Sequence, residues 1–353
     1  MPSFSEPGGE VDADGLTQKG GSRQAAQQAG QLGGIYPGKS GKSDLIVMLK
    51  HILTGAFLLS AGSTYPQMNS PTRFKDEVFP DISVGKNLSY SPNAKVSAHR
   101  FDWYEAIGDT APSRPLVIWM HGGGFKFGSK SLQSIRLWST YFAKKGYVCA
   151  AIDYRLGKKD FRFDFIGLVR NCHIAVQDTR LAIAYFKTHA ARFRIDTGHI
   201  ILAGNSAGGM MALQTAYSSD ADLLKLIGAP DSAQASHAID PGDIAAVVNF
   251  WGGIFDPDWL GNARVPIVSV HGRLDNIVPY DHKGFPLYGS AAVHRVADSL
   301  AIPNRLKTYD EYSHELQRRF NPVIAGRTTK KRWLEAAQFA ADFLYAELFA
   351  GNR

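Results

Sequence analysis

Cysteine is almost missing from these 353 residues: Cys149 and Cys172 are the only two. Two thiols exclude a disulfide scaffold and any four-cysteine metal site. Cys149 lies inside the apolar run Tyr147-Val148-Cys149-Ala150-Ala151-Ile152. Cys172 falls on the stripe Val169, Cys172, Val176, Thr179, Ile183, Phe186, spaced by threes and fours as a buried helix face requires. Both therefore read as buried free thiols rather than a bridge. No apolar run is long enough to span a bilayer, which argues against a stable membrane anchor. No internal repeat is visible. The formal charge of +7 has no basic helix or aromatic-basic strand behind it; its tight clusters are Arg318-Arg319 and Lys330-Lys331-Arg332. A solvated basic face is expected, and no nucleic-acid partner.

What is present is ordinary globular material, 44% hydrophobic and 20% charged, enough for a sizeable core. It is unevenly spread. Residues 1–47 hold ten glycines, five glutamines and two aromatics, Phe4 and Tyr36. Such a segment buries too little apolar surface to offset its ordering entropy and reads as a disordered extension. Met48-Leu49-Lys50-His51 then precedes a short apolar run from Ile52 to Ala61 and a small-residue exit, Ala61-Gly62-Ser63. A basic start, a short apolar stretch and a small-x-small exit describe a secretory signal peptide over residues 48–63. The expected product is periplasmic or secreted, with residues 1–47 an upstream extension from a misplaced start. A short amphipathic helix or a membrane-associated N-terminus is the competing reading, and without a signal the protein would be cytoplasmic. From residue 64 to 353 the chain reads as one globular domain.

Strands and helices alternate through that domain. Residues 96–104 suit an early strand through their Val, Phe, Trp and Tyr. Leu116-Val117-Ile118-Trp119-Met120, Tyr147–Ile152, His199–Ala203, Ile244–Phe250, Pro266–Val270 and Leu306–Tyr309 read as further strands. Helices are predicted over 137–144, 166–188, 291–300 and along Trp333, Ala337, Ala340, Leu344 and Leu348. The pattern predicts an α/β fold with a mostly parallel sheet covered on both faces.

The chain is organised around Gly204-Asn205-Ser206-Ala207-Gly208, between an apolar strand and the start of a helix. A serine at so tight a reversal leaves no room for a Cβ two residues before or after it, and its hydroxyl stands clear of the sheet. A serine hydroxyl is a poor nucleophile, so it needs a base, and the base needs an acid to orient it. In an α/β sheet these belong on loops after strands. Asp275 follows the strand ending at Val270, and His314 follows the strand ending at Tyr309. Among rivals, His294 lies in an apparent helix and is expected at the surface, and His282 sits too near the acid loop. Asp310 and Glu311 are adjacent to His314 in sequence only. An acyl oxygen turning into an anion also needs donors. Gly122-Gly123-Gly124 after a strand offers unobstructed N–H groups, and Ala207 N–H adds one at a helix start. His121 is expected to brace this loop.

These motifs, His121-Gly122-Gly123-Gly124-Phe125, Asp153-Tyr154-Arg155-Leu156, Gly204 to Gly209, His271-Gly272-x-x-Asp275 and His314, resemble bacterial carboxylesterases of the α/β-hydrolase superfamily. The hormone-sensitive-lipase-like and feruloyl-esterase-like branches are nearest, and the resemblance covers roughly residues 80–350. It implies an α/β-hydrolase fold and Ser206, Asp275 and His314 as catalytic residues. It also implies Gly123, Gly124 and Ala207 as oxyanion donors, structural roles for Asp153 and Arg155, and no metal or organic cofactor. The Ser313-His314-Glu315 context departs from the usual glycine-flanked histidine.

About fifteen residues separate Phe250 from Pro266, too few for an inserted lid domain. Cover is expected from residues 65–85, 161–165 and 251–255, with Phe125, Trp251 and Phe255 walling an acyl pocket. A lightly covered site suits a small-molecule ester, short-chain or aromatic. Three competing readings use the same fold: a peptidase, an arylformamidase, or a catalytically inactive ligand-binding module. A peptidase of the prolyl-oligopeptidase kind would bring a large N-terminal domain, and an inactive module would lack a member of the serine, acid and histidine set.

Overall fold

The computed structural model describes residues 70–91, 96–157, 164–229, 240–284, 286–321 and 325–351. Contacts divide the chain into Met1–Ser63 and Thr64–Arg353, and every described residue belongs to the second unit. The expectations for residues 1–47 and 48–63 lie outside the described residues. Among those described, no helix is long and apolar enough to cross a membrane.

Eight strands form one sheet: β1 (Ile82–Ser89), β2 (Arg100–Ala106), β3 (Arg114–Met120), β4 (Val148–Ile152), β5 (Ile195–Asn205), β6 (Ala246–Phe250), β7 (Ile267–Gly272) and β8 (Asn304–Tyr309). Their spatial order is β1-β2-β4-β3-β5-β6-β7-β8. β2 pairs antiparallel with both β1 and β4, and every pairing from β4 to β8 is parallel. Among the described residues the α-helices are α1 (Gln133–Ala143), α2 (Phe165–Thr188), α3 (Ala190–Phe193), α4 (Ala207–Tyr217), α5 (Asp220–Leu226), α6 (Ser290–Ser299) and α7 (Arg327–Leu348).

The central strands β3 to β7 carry apolar runs because each feeds two cores. Leu116, Ile118 and Met120 of β3 join one core with Val169, Cys172, Val176 and Ile183 of α2 and Met211 of α4. Val117 and Trp119 join the other, with Trp138 and Phe142 of α1 and Trp333, Ala337, Ala340 and Leu344 of α7. Successive side chains of a strand point to opposite faces, so burial on both faces needs apolar residues at every position. Cys149 and Cys172 therefore fall in different cores, both free.

The chain crosses from β3 out to β4 and then returns past β3 to place β5 on its other side. That reversal opens a crevice beyond the carboxyl ends of β3 and β5. The loop after β3 and the turn after β5 meet there. Residues 70–79, expected to cover the site, lie elsewhere: Phe74 and Phe79 N–H donate to Lys145 and Lys144 carbonyls, just before β4 begins, at the opposite end of the sheet. They continue into β1, an edge strand, and so cannot shield the crevice.

Candidate active site

Ser206 sits between β5 and α4 with φ 53° and ψ −120°, a conformation few residues with a Cβ adopt. Two close approaches enforce it. A Cβ on Gly208 would lie 2.0 Å from Met120 O, and one on Gly204 would lie 2.4 Å from Gly208 C. Ser206 N–H donates to Phe250 O at 2.9 Å, tying the turn to the end of β6.

His314 Nε2 lies 2.9 Å from Ser206 Oγ, and His314 Nδ1 lies 2.7 Å from Asp275 Oδ2. A carboxylate only accepts, so Nδ1 carries the proton and Nε2 is left to accept from the serine hydroxyl. The structure thus brings Ser206, Asp275 and His314 into one line, in a buried setting. Burial alone would push the Asp275 pKa up; hydrogen bonds from His271 and His314, and their charge, outweigh it and hold the carboxyl well below its ordinary range. Its other oxygen accepts from Ile277 and Val278 N–H at 2.8 and 3.1 Å.

His271 is a functional neighbour whose role the sequence did not reveal. Its Nε2 is 3.3 Å from Asp275 Oδ2 and its Nδ1 2.8 Å from Ser290 Oγ, and Ser290 Oγ accepts from Asn249 Nδ2. A buried polar chain thus runs from β6 through Ser290 of α6 and His271 of β7 to the acid. Gly272 lets the His314 loop approach, since a Cβ there would meet Tyr312 O at 2.4 Å. Nor does the sequence mark Phe320. Its half-buried ring stands edge-on to His314, centroids 5.1 Å apart.

The loop after β3 faces Ser206. Gly123 has φ 121°, and a Cβ on it would meet Phe127 O at 2.1 Å; Gly124 has φ 61°. Asn205 Oδ1 accepts from Gly122 N–H at 3.1 Å, linking this loop to the serine turn. Among the described residues no hydrogen bond takes up the N–H of Gly123, Gly124 or Ala207. His121 braces the loop from behind. Its ring stacks on Tyr154 at 4.3 Å and its Nδ1 donates to Gly122 O at 2.7 Å. Burial pushes its pKa down to about 4, which keeps it neutral. Tyr154 OH donates to His121 O, Asp153 accepts from the Lys130 ammonium, and Arg155 pairs with Asp178. Asp153 to Arg155 is scaffolding under the loop.

The expected pocket walls need correction. Phe125 and Trp251 are wholly buried and Phe255 is 1% exposed, so none presents surface to a ligand. Trp251 has φ 42°, which turns the chain back, and its ring stacks on Phe250 and tilts against Trp138 in the core. Phe125 packs edge-on against Tyr154, and Phe255 against Phe165. Residues 161–163 lie outside the described residues. His294, expected at the surface, is buried with Nδ1 2.6 Å from Asn304 Oδ1. His282 stacks on Tyr288, Asp310 pairs with Arg273 and Glu311 with Arg318, so none of these rivals serves the line. Among the described residues no cluster of three or more His, Cys, Asp or Glu is placed to hold a metal.

Comparison with known proteins agrees with this architecture. The BD-FAE family model matches residues 101–256, from β2 through the serine turn to the loop after β6. A probable carboxylic ester hydrolase of Mycobacterium tuberculosis, LipM, is 24% identical over 216 residues, covering 61% of this chain and 44% of that protein. Secreted lipase 5 of Gibberella zeae is 32% identical over 107 residues, 29% of this chain and 19% of that one. The chain thus spans less than half the length of these curated relatives. Among solved structures, esterase 2 of Thermogutta terrifontis with butyrate bound superposes with a TM-score of 0.54 at 21% identity, covering 78% of this chain and 97% of its own. Over the matched segments the chain is thus similar to the BD-FAE family and to carboxylic ester hydrolases, and it has the α/β-hydrolase fold of the solved esterase.

Proposed function

We propose that the protein is a serine carboxylester hydrolase that works through an acyl-enzyme on Ser206. The observation that carries this is the pair of hydrogen bonds Ser206–His314 and His314–Asp275, at 2.9 and 2.7 Å, on a turn that leaves the serine hydroxyl no other partner among the described residues. His314 Nε2 takes the hydroxyl proton as Ser206 Oγ bonds to the acyl carbon. The carbonyl oxygen becomes an anion facing the N–H groups of Gly123, Gly124 and Ala207, the last also at the positive end of α4. His314 then gives its proton to the departing alcohol. Water, deprotonated by the same nitrogen, attacks the acyl carbon; the bond from Ser206 Oγ to that carbon then breaks as His314 returns the proton to Oγ, and the acid is released. Asp275 holds the imidazole in the tautomer that each transfer requires. The relatives named as a carboxylic ester hydrolase and a lipase support an ester substrate.

The connection between β6 and β7 supports a reading of the substrate class. Its described residues include only a short turn, Pro257–Asn262, whose Leu260 is buried in the core. A connection of that length carries no lid domain, and the reading is of short-chain or aromatic esters. Residues 48–63 support export, which N-terminal sequencing of the secreted product checks: an intact Met1 contradicts it. For the reaction itself the test is hydrolysis of p-nitrophenyl acetate, butyrate and palmitate by the wild type and Ser206→Ala. The reading requires activity highest on the short esters and a fall in kcat on the order of 10⁴-fold or more in the variant. An equally active variant overturns it, and a protein that labels nowhere with a fluorophosphonate is the inactive binding module instead.

A further inference from the structure

The two residues after His314 hold an unusual backbone. Glu315 has φ 55° and ψ 25°, and Leu316 has φ 55°. Neither is glycine, and left-handed geometry is costly for any residue with a Cβ, so something must hold the pair there. The carbonyls of these same two residues are taken by neighbouring side chains of α7. Trp333 Nε1 donates to Glu315 O at 2.9 Å, and Arg332 Nε donates to Leu316 O at 2.8 Å.

Both donors are themselves fixed. The Arg332 guanidinium lies 4.2 Å from the centroid of the Tyr312 ring and donates to Thr329 Oγ1 at 3.1 Å. Trp333 is buried against Trp138, whose Nε1 donates to Trp333 O at 3.0 Å. Within the loop, Ser313 N–H donates to Gln317 O at 2.7 Å and closes the turn around His314. The imidazole that must reach both Asp275 and Ser206 therefore hangs from a backbone clamped by α7 and strained at the next two positions.

We propose that Arg332 and Trp333 are positioning residues that hold the strained Glu315–Leu316 backbone and, through it, set the His314 imidazole between Asp275 and Ser206. The proposal rests on the hydrolase reading above. A clamp on strain differs from ordinary packing in one respect: it becomes dispensable when the strain is removed. Glycine adopts left-handed geometry without cost, so E315G should make the Trp333 hydrogen bond unnecessary.

The test measures kcat and KM for p-nitrophenyl butyrate, with thermal unfolding as a folding control. W333F keeps an aromatic ring and loses the N–H; R332A loses the other donor and R332K retains one. The proposal expects W333F and R332A each to lower kcat about 3- to 10-fold with KM within about twofold, and R332K to fall between R332A and the wild type. In the W333F background E315G restores most of the lost kcat, and E315Q, which keeps the Cβ and removes the charge, does not. Wild-type kcat in both W333F and R332A overturns the proposal, as does a loss that is the same with and without E315G. If W333F does not fold, R332A and R332K carry the comparison: a kcat lowered in R332A at unchanged KM and partly recovered in R332K supports the proposal, and wild-type kcat in R332A overturns it. The hydrolase reading fails separately: it is lost if S206A is as active as the wild type, whereas an inactive S206A beside fully active W333F and R332A removes the clamp alone.

Discussion

At Asp275 four donors converge on one buried carboxylate: the imidazoles of His314 and His271 and the N–H groups of Ile277 and Val278. They hold the acid ionised against the pull of burial. Because its folded pKa is depressed, the stability it contributes is fully present above the unfolded value near about 3.9 and is lost as pH falls through the folded one. The difference in thermal midpoint between the wild type and D275N should therefore be constant near neutrality and shrink below about pH 4; a difference that grows there would contradict the assignment. D275N should also lower kcat on the order of 10³- to 10⁴-fold, since an amide that donates to Nδ1 selects the wrong tautomer. Glu315 behaves oppositely. Burial raises its pKa, with Asp275 adding to the effect, so it favours folding below the ordinary glutamate range and that advantage is lost as pH rises through its folded value. E315Q should accordingly gain in thermal midpoint on the wild type between pH 4 and pH 7, and a constant offset would count against it. Of these residues, Ser206 and Asp275 were legible because glycines and a preceding strand mark them. His271 and Phe320 were not: their partners Asp275 and His314 lie only four and six residues away, but on loops without a regular repeat, spacing does not tell which way a side chain turns.

At the scale of elements, the turn between β5 and α4 depends on space as much as on residue type. Gly208 touches the last peptide of β3 so closely that one methyl group would displace it. G208A should destabilise the protein by about 2 kcal/mol or more, as overpacking of a rigid contact does, and should lower activity further than that loss of stability explains. Urea denaturation alongside kcat measures both; an unchanged midpoint would mean the turn yields. The buried strands were easy to read because apolar residues on both faces leave an unbroken run. β1 was missed because, as an edge strand of Ile82-Ser83-Val84-Gly85-Lys86-Asn87-Leu88-Ser89, it is half polar. α5 was missed because its seven residues owe their helix to a capping box between Ser219 and Asp222 rather than to an apolar stripe. Trp251 was misread because an aromatic after a strand can turn either way, and only the φ of 42° shows that it returns to the core.

At the scale of the whole molecule, the order of strands does what no local motif can. Placing β4 and β5 on opposite sides of β3 brings the glycine loop and the serine turn to one crevice, while β7 and β8 deliver the acid and the base from farther along the sheet. Alternating strands and helices announced the sheet, but spacing along the chain does not encode which strands are neighbours. The central claim is that these four loops form one nucleophilic centre. It is tested most directly by treating the intact protein with a fluorophosphonate and locating the adduct by mass spectrometry. The account predicts a single adduct, on the peptide carrying Ser206, whose formation is slowed on the order of 10³-fold or more by H314A. An adduct on another residue, or equal labelling with the imidazole removed, would contradict it.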